Sequence, residues 1–269
     1  MAACPSRLVV FDKPIRNLLF FGVLAICMMR GADALAAPDE IEVYTEDLNA
    51  PGEINLEQHL NYVIKGAQTP DYPGQMTTHH VMQITPELSY GITKNLEAGF
   101  YLPLAFTPGG YTFLNALRMR LKYIAPRRED ENLFYGLNVE VSRDSIRTSD
   151  SISRIEIRPI IGYRDVRWLA SFNPILNTGL AANVSHQLQF EPALKLTHSV
   201  GEGVRGGFEY YGSYGSLSHR LPSNQRAHSL YAVADVEMSE FDFNFGIGRG
   251  FVNAIDTWVM KAIIELPLK

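Results

Sequence analysis

The sequence predicts an all-β protein: an antiparallel transmembrane β-barrel of about 12 strands behind an N-terminal signal peptide. Three observations carry this prediction. Segments of roughly ten residues with alternating apolar and polar side chains follow one another to the C-terminus. Their connections tend to be short on one side and long on the other, and beyond the N-terminal region no apolar run is long enough to be a membrane helix. Side chains on a strand alternate with period two, so each segment has one apolar and one polar face. In lipid a sheet satisfies every backbone group only when it is closed, so a spanning structure built from such segments is a barrel.

The N-terminal region has the layout of a secretory signal: Lys13 and Arg16, the apolar run from Leu18 to Met29, then Ala34-Leu35-Ala36 before Ala37-Pro38. The run is shorter than the roughly 20 residues that a spanning helix needs. Ile26 before Cys27 argues against a lipoprotein signal, which carries a small residue there. Both cysteines, Cys4 and Cys27, fall in this region, so cleavage after Ala36 leaves a chain with no thiol. It also removes four basic and two acidic residues, which leaves 20 against 27, a net charge of −7. An acidic product with no basic cluster longer than Arg127-Arg128 offers no electrostatic footprint for nucleic acid. The expected organisation is a signal peptide over residues 1–36, a periplasmic lead-in over residues 37–52 and the barrel over residues 53–269.

The lead-in, EIEVYTEDLNAP from Glu40 to Pro51, is acidic, and its structure is left open. The first strand alternates Ile54, Leu56, Leu60, Tyr62 and Ile64 with polar residues. The second and third fold about Gly91-Ile92-Thr93-Lys94-Asn95: Ile84, Leu88 and Tyr90 oppose Glu87 and Ser89, and Leu96, Ala98, Phe100, Leu102 and Leu104 oppose Glu97, Gly99 and Tyr101. The fourth sets Phe113, Leu117, Met119, Leu121 and Tyr123 against Arg118, Arg120 and Lys122, and the fifth sets Leu133 to Val141 against Asn138, Glu140 and Ser142. Later strands run over Ile155–Tyr163, Trp168–Phe172, Leu188–Leu196, Val204–Tyr210, Phe241–Ile247 and Trp258–Leu266. Between the ninth and the eleventh, residues 226–238 have no clear register, because Tyr231 and Val233 compete with Leu230, Ala232 and Val236 for the apolar face.

Connections Gly91–Asn95, Arg164–Val166, Ser199–Gly203 and Ser239–Glu240 are short, with Ala125–Asn132 the exception on that side; Lys65–Gln75, Arg143–Ser151, Asn177–Ser185 and Tyr214–Arg226 are long. Short turns on one side and long loops on the other is the asymmetry of outer-membrane barrels, and it places both termini in the periplasm. Pro86, Pro159 and Pro192 each precede a short turn by about five residues and suggest bulges or strand ends, since proline donates nothing to the ladder.

The stretches EIEVYTEDLNAPGEINLEQHLNYV and TPELSYGITKNLEAGFYLPLA resemble a family of proteobacterial outer-membrane proteins named for the meta-pathway of phenol degradation. The resemblance implies an outer-membrane barrel that passes small, often aromatic, compounds. These motifs are structural, so no functional residue carries over from them. The chain ends Leu266-Pro267-Leu268-Lys269 where many such barrels end in an aromatic residue.

Catalytic constellations are sparse. A lipase-type dyad on one strand face needs Ser and His at spacing two, and neither His-x-Ser nor Ser-x-His occurs. His79-His80 has no carboxylate or thiol at ligand spacing, so no metal and no cofactor are expected. The polar feature singled out is Arg118, Arg120 and Lys122 on one strand face, whose antiparallel neighbours carry Glu97 and Glu140. These five residues are expected to line the lumen as ion pairs that brace it, or as a basic wall that steers anionic solutes. The functional expectation is a passive channel for small molecules in the bacterial outer membrane. Its alternative is a structural or loop-binding barrel with a closed lumen, with an outer-membrane lipid hydrolase ranked last. Expected partners are outer-membrane lipid, the barrel-assembly machinery and a small-molecule solute.

Overall fold

The computed structural model of the chain describes residues 39–128, 130–180 and 186–268. The expected signal peptide lies outside them. Fourteen strand segments form one antiparallel sheet: β1 (Ile54–Lys65), β2 (Met82–Thr93), β3 (Leu96–Tyr101), β4 (Leu104–Phe106), β5 (Thr112–Leu114), β6 (Ala116–Ile124), β7 (Leu133–Asp144), β8 (Arg154–Arg164), β9 (Trp168–Gly179), β10 (Gln189–Gly201), β11 (Val204–Ser213), β12 (Ala227–Glu237), β13 (Asp242–Val252) and β14 (Trp258–Leu268). Because β3 with β4, and β5 with β6, each continue one stave, the fourteen segments make twelve staves. β1 pairs with both β2 and β14, which closes the sheet into a barrel and leaves no free edge. Both ends of the sheet, Ile54 and Leu268, lie side by side at the rim that carries the short turns.

Alternation sets which side chain faces where. On β6, Leu117, Met119, Leu121 and Tyr123 are 43–61% exposed, whereas Arg118, Arg120 and Lys122 are only 6–8% exposed. In a protein surrounded by water those two sets would be exchanged. Here the apolar set forms the outer band and the charged set turns inward, the arrangement of a lipid-facing barrel. The same division holds on β2 and β3, where Glu87 and Glu97 are buried inside and Leu88, Tyr90 and Phe100 are exposed outside.

Local departures from the expected strands have physical reasons. β3 and β4 are separated at Leu102-Pro103, where Pro103 supplies no donor. Phe113, expected on the same face as Leu117, lies on the opposite one. The pairing Ala105↔Phe113 puts it on the inner side, and a one-residue shift at Asn115 between the β4–β5 and β3–β6 registers reverses the phase before Leu117. Proline positions also differ from expectation: Pro159 and Pro192 sit within β8 and β10 rather than at ends. Pro192 pairs with Pro174 on β9, and the β8–β9 ladder has no pairs between Ile157 and Ile161, where Pro159 and Pro174 face each other.

Candidate functional site

Residues 39–50 run inside the barrel. This segment, expected as a lead-in of open structure, touches inward side chains of β1, β2, β3, β6, β8, β9, β10, β12 and β14. Asp39 accepts a 2.9 Å ion pair from Arg118, and its carbonyl accepts hydrogen bonds from Asn61 and Thr85. Glu40 lies 3.4 Å from Arg158. The Ile41 carbonyl accepts a hydrogen bond of 2.8 Å from Lys261 Nζ. Tyr44 is held by its backbone, its N–H donating to Asn173 Oδ1 at 2.7 Å and its carbonyl accepting from Ser171 Oγ and the Asn173 amide. Glu46 and Asp47 pair with Arg164, each at 2.7 Å. The Asn49 N–H donates to Glu97 Oε2 at 2.8 Å.

Apolar side chains of the segment find apolar patches on the inner wall. Ile41 packs on Val63, Tyr231, Val233 and Val259; Val43 on Ile175 and Ala193; Tyr44 and Leu48 on Ile124, Phe134, Ile160 and Leu169. This explains the blurred register over residues 226–238. β12 is apolar on both faces, Leu230 towards lipid and Tyr231 and Val233 towards the plug, so alternation carries no signal there. At the rim the chain turns from lumen to wall through Gly52, whose φ of +89° suits glycine. A Cβ at Gly91 would overlap the carbonyl oxygens of Asn49 and Ala50, so glycine also permits the close approach of plug and β2–β3 turn.

Tyr44 occupies the middle of this site and is 2% exposed. Its ring is surrounded by three cations, with Arg158, Lys122 and Arg120 at 4.1, 4.9 and 5.5 Å from the centroid, and its hydroxyl meets Tyr101 Oη at 2.7 Å. Such a cage favours an aromatic group, because the ring quadrupole attracts cations most strongly where water is excluded.

The five residues singled out from sequence come together here. Arg118 Nε stands 3.1 Å from Glu140 Oε1, and Arg120 stands 2.7 Å from Glu97 Oε1 and 2.6 Å from Glu87 Oε1. Lys122, directly opposite Glu97 in register, makes no ion pair among the described residues and lies on the Tyr44 ring instead. The sequence reading did not include the acids that the plug brings, Asp39 and Glu40. Nor did it include a second inward cluster, in which Lys195 and Lys261 bind Glu209 and Lys195 binds Asp235 at 2.8 Å. Register could have shown part of it, since Lys195 and Glu209 are direct cross-strand partners. His79 and His80 lie in the β1–β2 loop with ring centroids 3.9 Å apart.

Between the plug and the wall lies a cavity of about 470 Å³, bordered by Glu42, Asp47, Glu57, Arg205, Asp242 and Glu265. It lies towards the short-turn rim. The interior is therefore polar and charged, filled along one side and hollow along the other.

A closed antiparallel barrel of twelve staves with an apolar outer band and a charged interior has the fold of outer-membrane β-barrels. Among solved structures the chain is similar to an outer membrane channel from Pseudomonas putida F1, with a TM-score of 0.57 and 12% identity over 85% of this chain and 100% of that one. It is also similar to the NanC porin, with a TM-score of 0.53 and 11% identity over 80% of this chain and 99% of that one. At these identities the likeness is one of fold. No protein-family model matches the sequence, and no curated protein matches it.

Proposed function

We propose that this chain is a passive outer-membrane channel for small molecules, aromatic compounds among them, whose lumen is stoppered by its own residues 39–50. The observation that carries the proposal is the seat of Tyr44: a barrel interior that holds an aromatic side chain by a cation cage and hydrogen bonds, without a covalent tie. A solute with an aromatic ring and a polar substituent meets the same groups when the plug moves aside. The resemblance to the family named for phenol degradation, and the likeness to channels and porins, support the same reading. Export by cleavage after Ala36 would put the plug two residues from a free N-terminus, which lets it enter and leave the lumen as a loose end. The barrel-assembly machinery and outer-membrane lipid are then its partners in assembly.

Planar-bilayer recording tests the proposal. The full mature chain should conduct rarely, and a variant lacking residues 39–50 should conduct as a steady pore. The filled lumen also favours a second reading, a structural barrel that never opens. A folded deletion variant that stays silent would decide for that reading.

A further inference from the structure

Three inward glutamates stand side by side across the wall: Glu57 on β1 faces Glu87 on β2 in one direction and Glu265 on β14 in the other. Like charges directly opposite each other on adjacent strands destabilise a sheet unless something offsets them. Arg120 takes Glu87, and the Asn55 amide donates to Glu265 at 2.7 Å. Glu57 is left with His59 alone. The plug then adds a fourth carboxylate, that of Glu42, which makes no ion pair or hydrogen bond among the described residues, although the Glu42 backbone carbonyl accepts one from Arg158. Oxygens of Glu42 and Glu57 and a ring nitrogen of His59 all lie within 4.8 Å of one another.

His59 points independently to a ligand. It is wholly buried, its Nδ1 makes no hydrogen bond, and its Nε2 faces carboxylates alone among the described residues. Its Nε2 stands 2.9 Å from Glu57 Oε1 and 3.5 Å from Glu87 Oε2. Glu57 Oε1 is likewise buried, with His59 as its partner. A buried ring nitrogen and a buried carboxylate oxygen, both lone-pair donors, thus converge beside a surplus of negative charge, and the water-accessible cavity reaches Glu42 and Glu57.

We propose that Glu42, Glu57 and His59 form a binding site for a divalent transition ion of the Zn²⁺ class, which fastens the plug to the barrel wall. One imidazole with two carboxylates suits Zn²⁺ better than Ca²⁺ or Mg²⁺, which prefer all-oxygen shells. Bonds of about 2.0–2.2 Å to N and O ligands place neighbouring ligands of a tetrahedral ion roughly 3.5 Å apart, so modest side-chain rotation closes the site. The fourth position opens to the cavity and takes water. Because Glu42 belongs to the plug while Glu57 and His59 belong to β1, the ion is bound tightly only with the plug seated. By linkage, Zn²⁺ at a hundred times its Kd holds the plug in place about a hundredfold more strongly.

The site itself does not depend on whether the barrel conducts, so metal binding is measured apart from conduction. The folded mature chain, without an added histidine tag and stripped with chelator, is titrated with Zn²⁺ alone by calorimetry. Wild type should bind one ion per barrel, and Glu42→Gln and His59→Gln should each weaken it at least tenfold. Glu42→Gln lies on the plug and leaves the barrel strands unaltered, so it remains informative if His59→Gln fails to fold. Saturating Zn²⁺ should slow protease cleavage within residues 39–50 in wild type and leave the rate in Glu42→Gln unchanged. No binding, or binding that persists in Glu42→Gln and disappears in His80→Gln, would overturn the proposal and leave His59 as an imidazolium bridging Glu57 and Glu87.

Discussion

Truncating Tyr44 to alanine isolates the plug from the barrel, because the residue belongs to the plug and its removal alters no strand. The ring is 2% exposed, packs against Ile124, Phe134, Ile160 and Leu169, shares a hydroxyl contact with Tyr101 and sits among three cations. Removing a buried aromatic side chain costs about 3–5 kcal/mol. Of this, the hydroxyl contact accounts for about 1 kcal/mol and the cation contacts for about 2 kcal/mol where water is excluded. The whole loss falls on the balance between seated and released plug. At about 1.4 kcal/mol per tenfold, even the lower bound raises the released fraction roughly a hundredfold. Tyr44→Phe keeps the ring among its cations and loses only the hydroxyl contact, so its effect should be about fivefold at about 1 kcal/mol. Open probability in planar bilayers measures the ratio directly, and heat-dependent gel mobility verifies that each barrel is folded. Equal open probabilities for wild type and Tyr44→Ala in folded barrels would show that the plug is not the barrier. Equal effects of the alanine and phenylalanine changes would show that the cation cage contributes nothing.

Further predictions concern the wall, the outer band and the loops. Arg120→Gln leaves Glu87 and Glu97 buried without their shared cation and should lower unfolding stability by about 3–5 kcal/mol, read from the denaturant midpoint in lipid vesicles. Leu121→Arg places a charge on the lipid face of β6 and should cost about 2–4 kcal/mol if it lies near the bilayer midplane, whereas Asn138→Ala, which removes a buried amide without hydrogen bonds, should cost far less. Similar losses for the two would contradict the assigned faces. In the long-loop rim, burial pushes the Asp256 carboxyl up to about 6 from 3.8, against the lowering effect of its hydrogen bond from Thr78. The folded state therefore holds this proton more tightly than the unfolded chain, so its contribution is full below about 3.8 and fades as the pH rises through about 6. Protease cleavage of the β1–β2 loop should become faster between pH 5 and pH 7 in wild type, and should lose that pH dependence in Asp256→Asn.

Much of the wall was legible because a strand's signal is local. Arg118-Met119-Arg120-Leu121-Lys122 states its two faces by alternation, and hydrophobicity decides which one meets lipid. The ion-pair partners Glu97 and Glu140 followed from antiparallel adjacency, since staves that follow one another along the chain pair with each other. The phase reversal at Asn115 was not legible, because one extra inward residue leaves no mark in composition. Charge cannot tell the two uses of the inner face apart either: Arg120 is bound twice by wall acids, whereas Lys122, one turn of the alternation away, serves the plug.

By itself, then, the sequence determined the barrel: strands of spanning length, their inward and outward faces, and the rim on which the long loops lie. Only the tertiary structure decided what fills it. EIEVYTEDLNAP has no period because it forms neither strand nor helix. Its residues are held by groups far away along the chain, Asp39 by Arg118, Ile41 by Lys261 and Tyr44 by Asn173. Strand character is written in neighbouring residues, while a plug is specified by the shape and charge of a cavity that does not exist until the strands have closed around it.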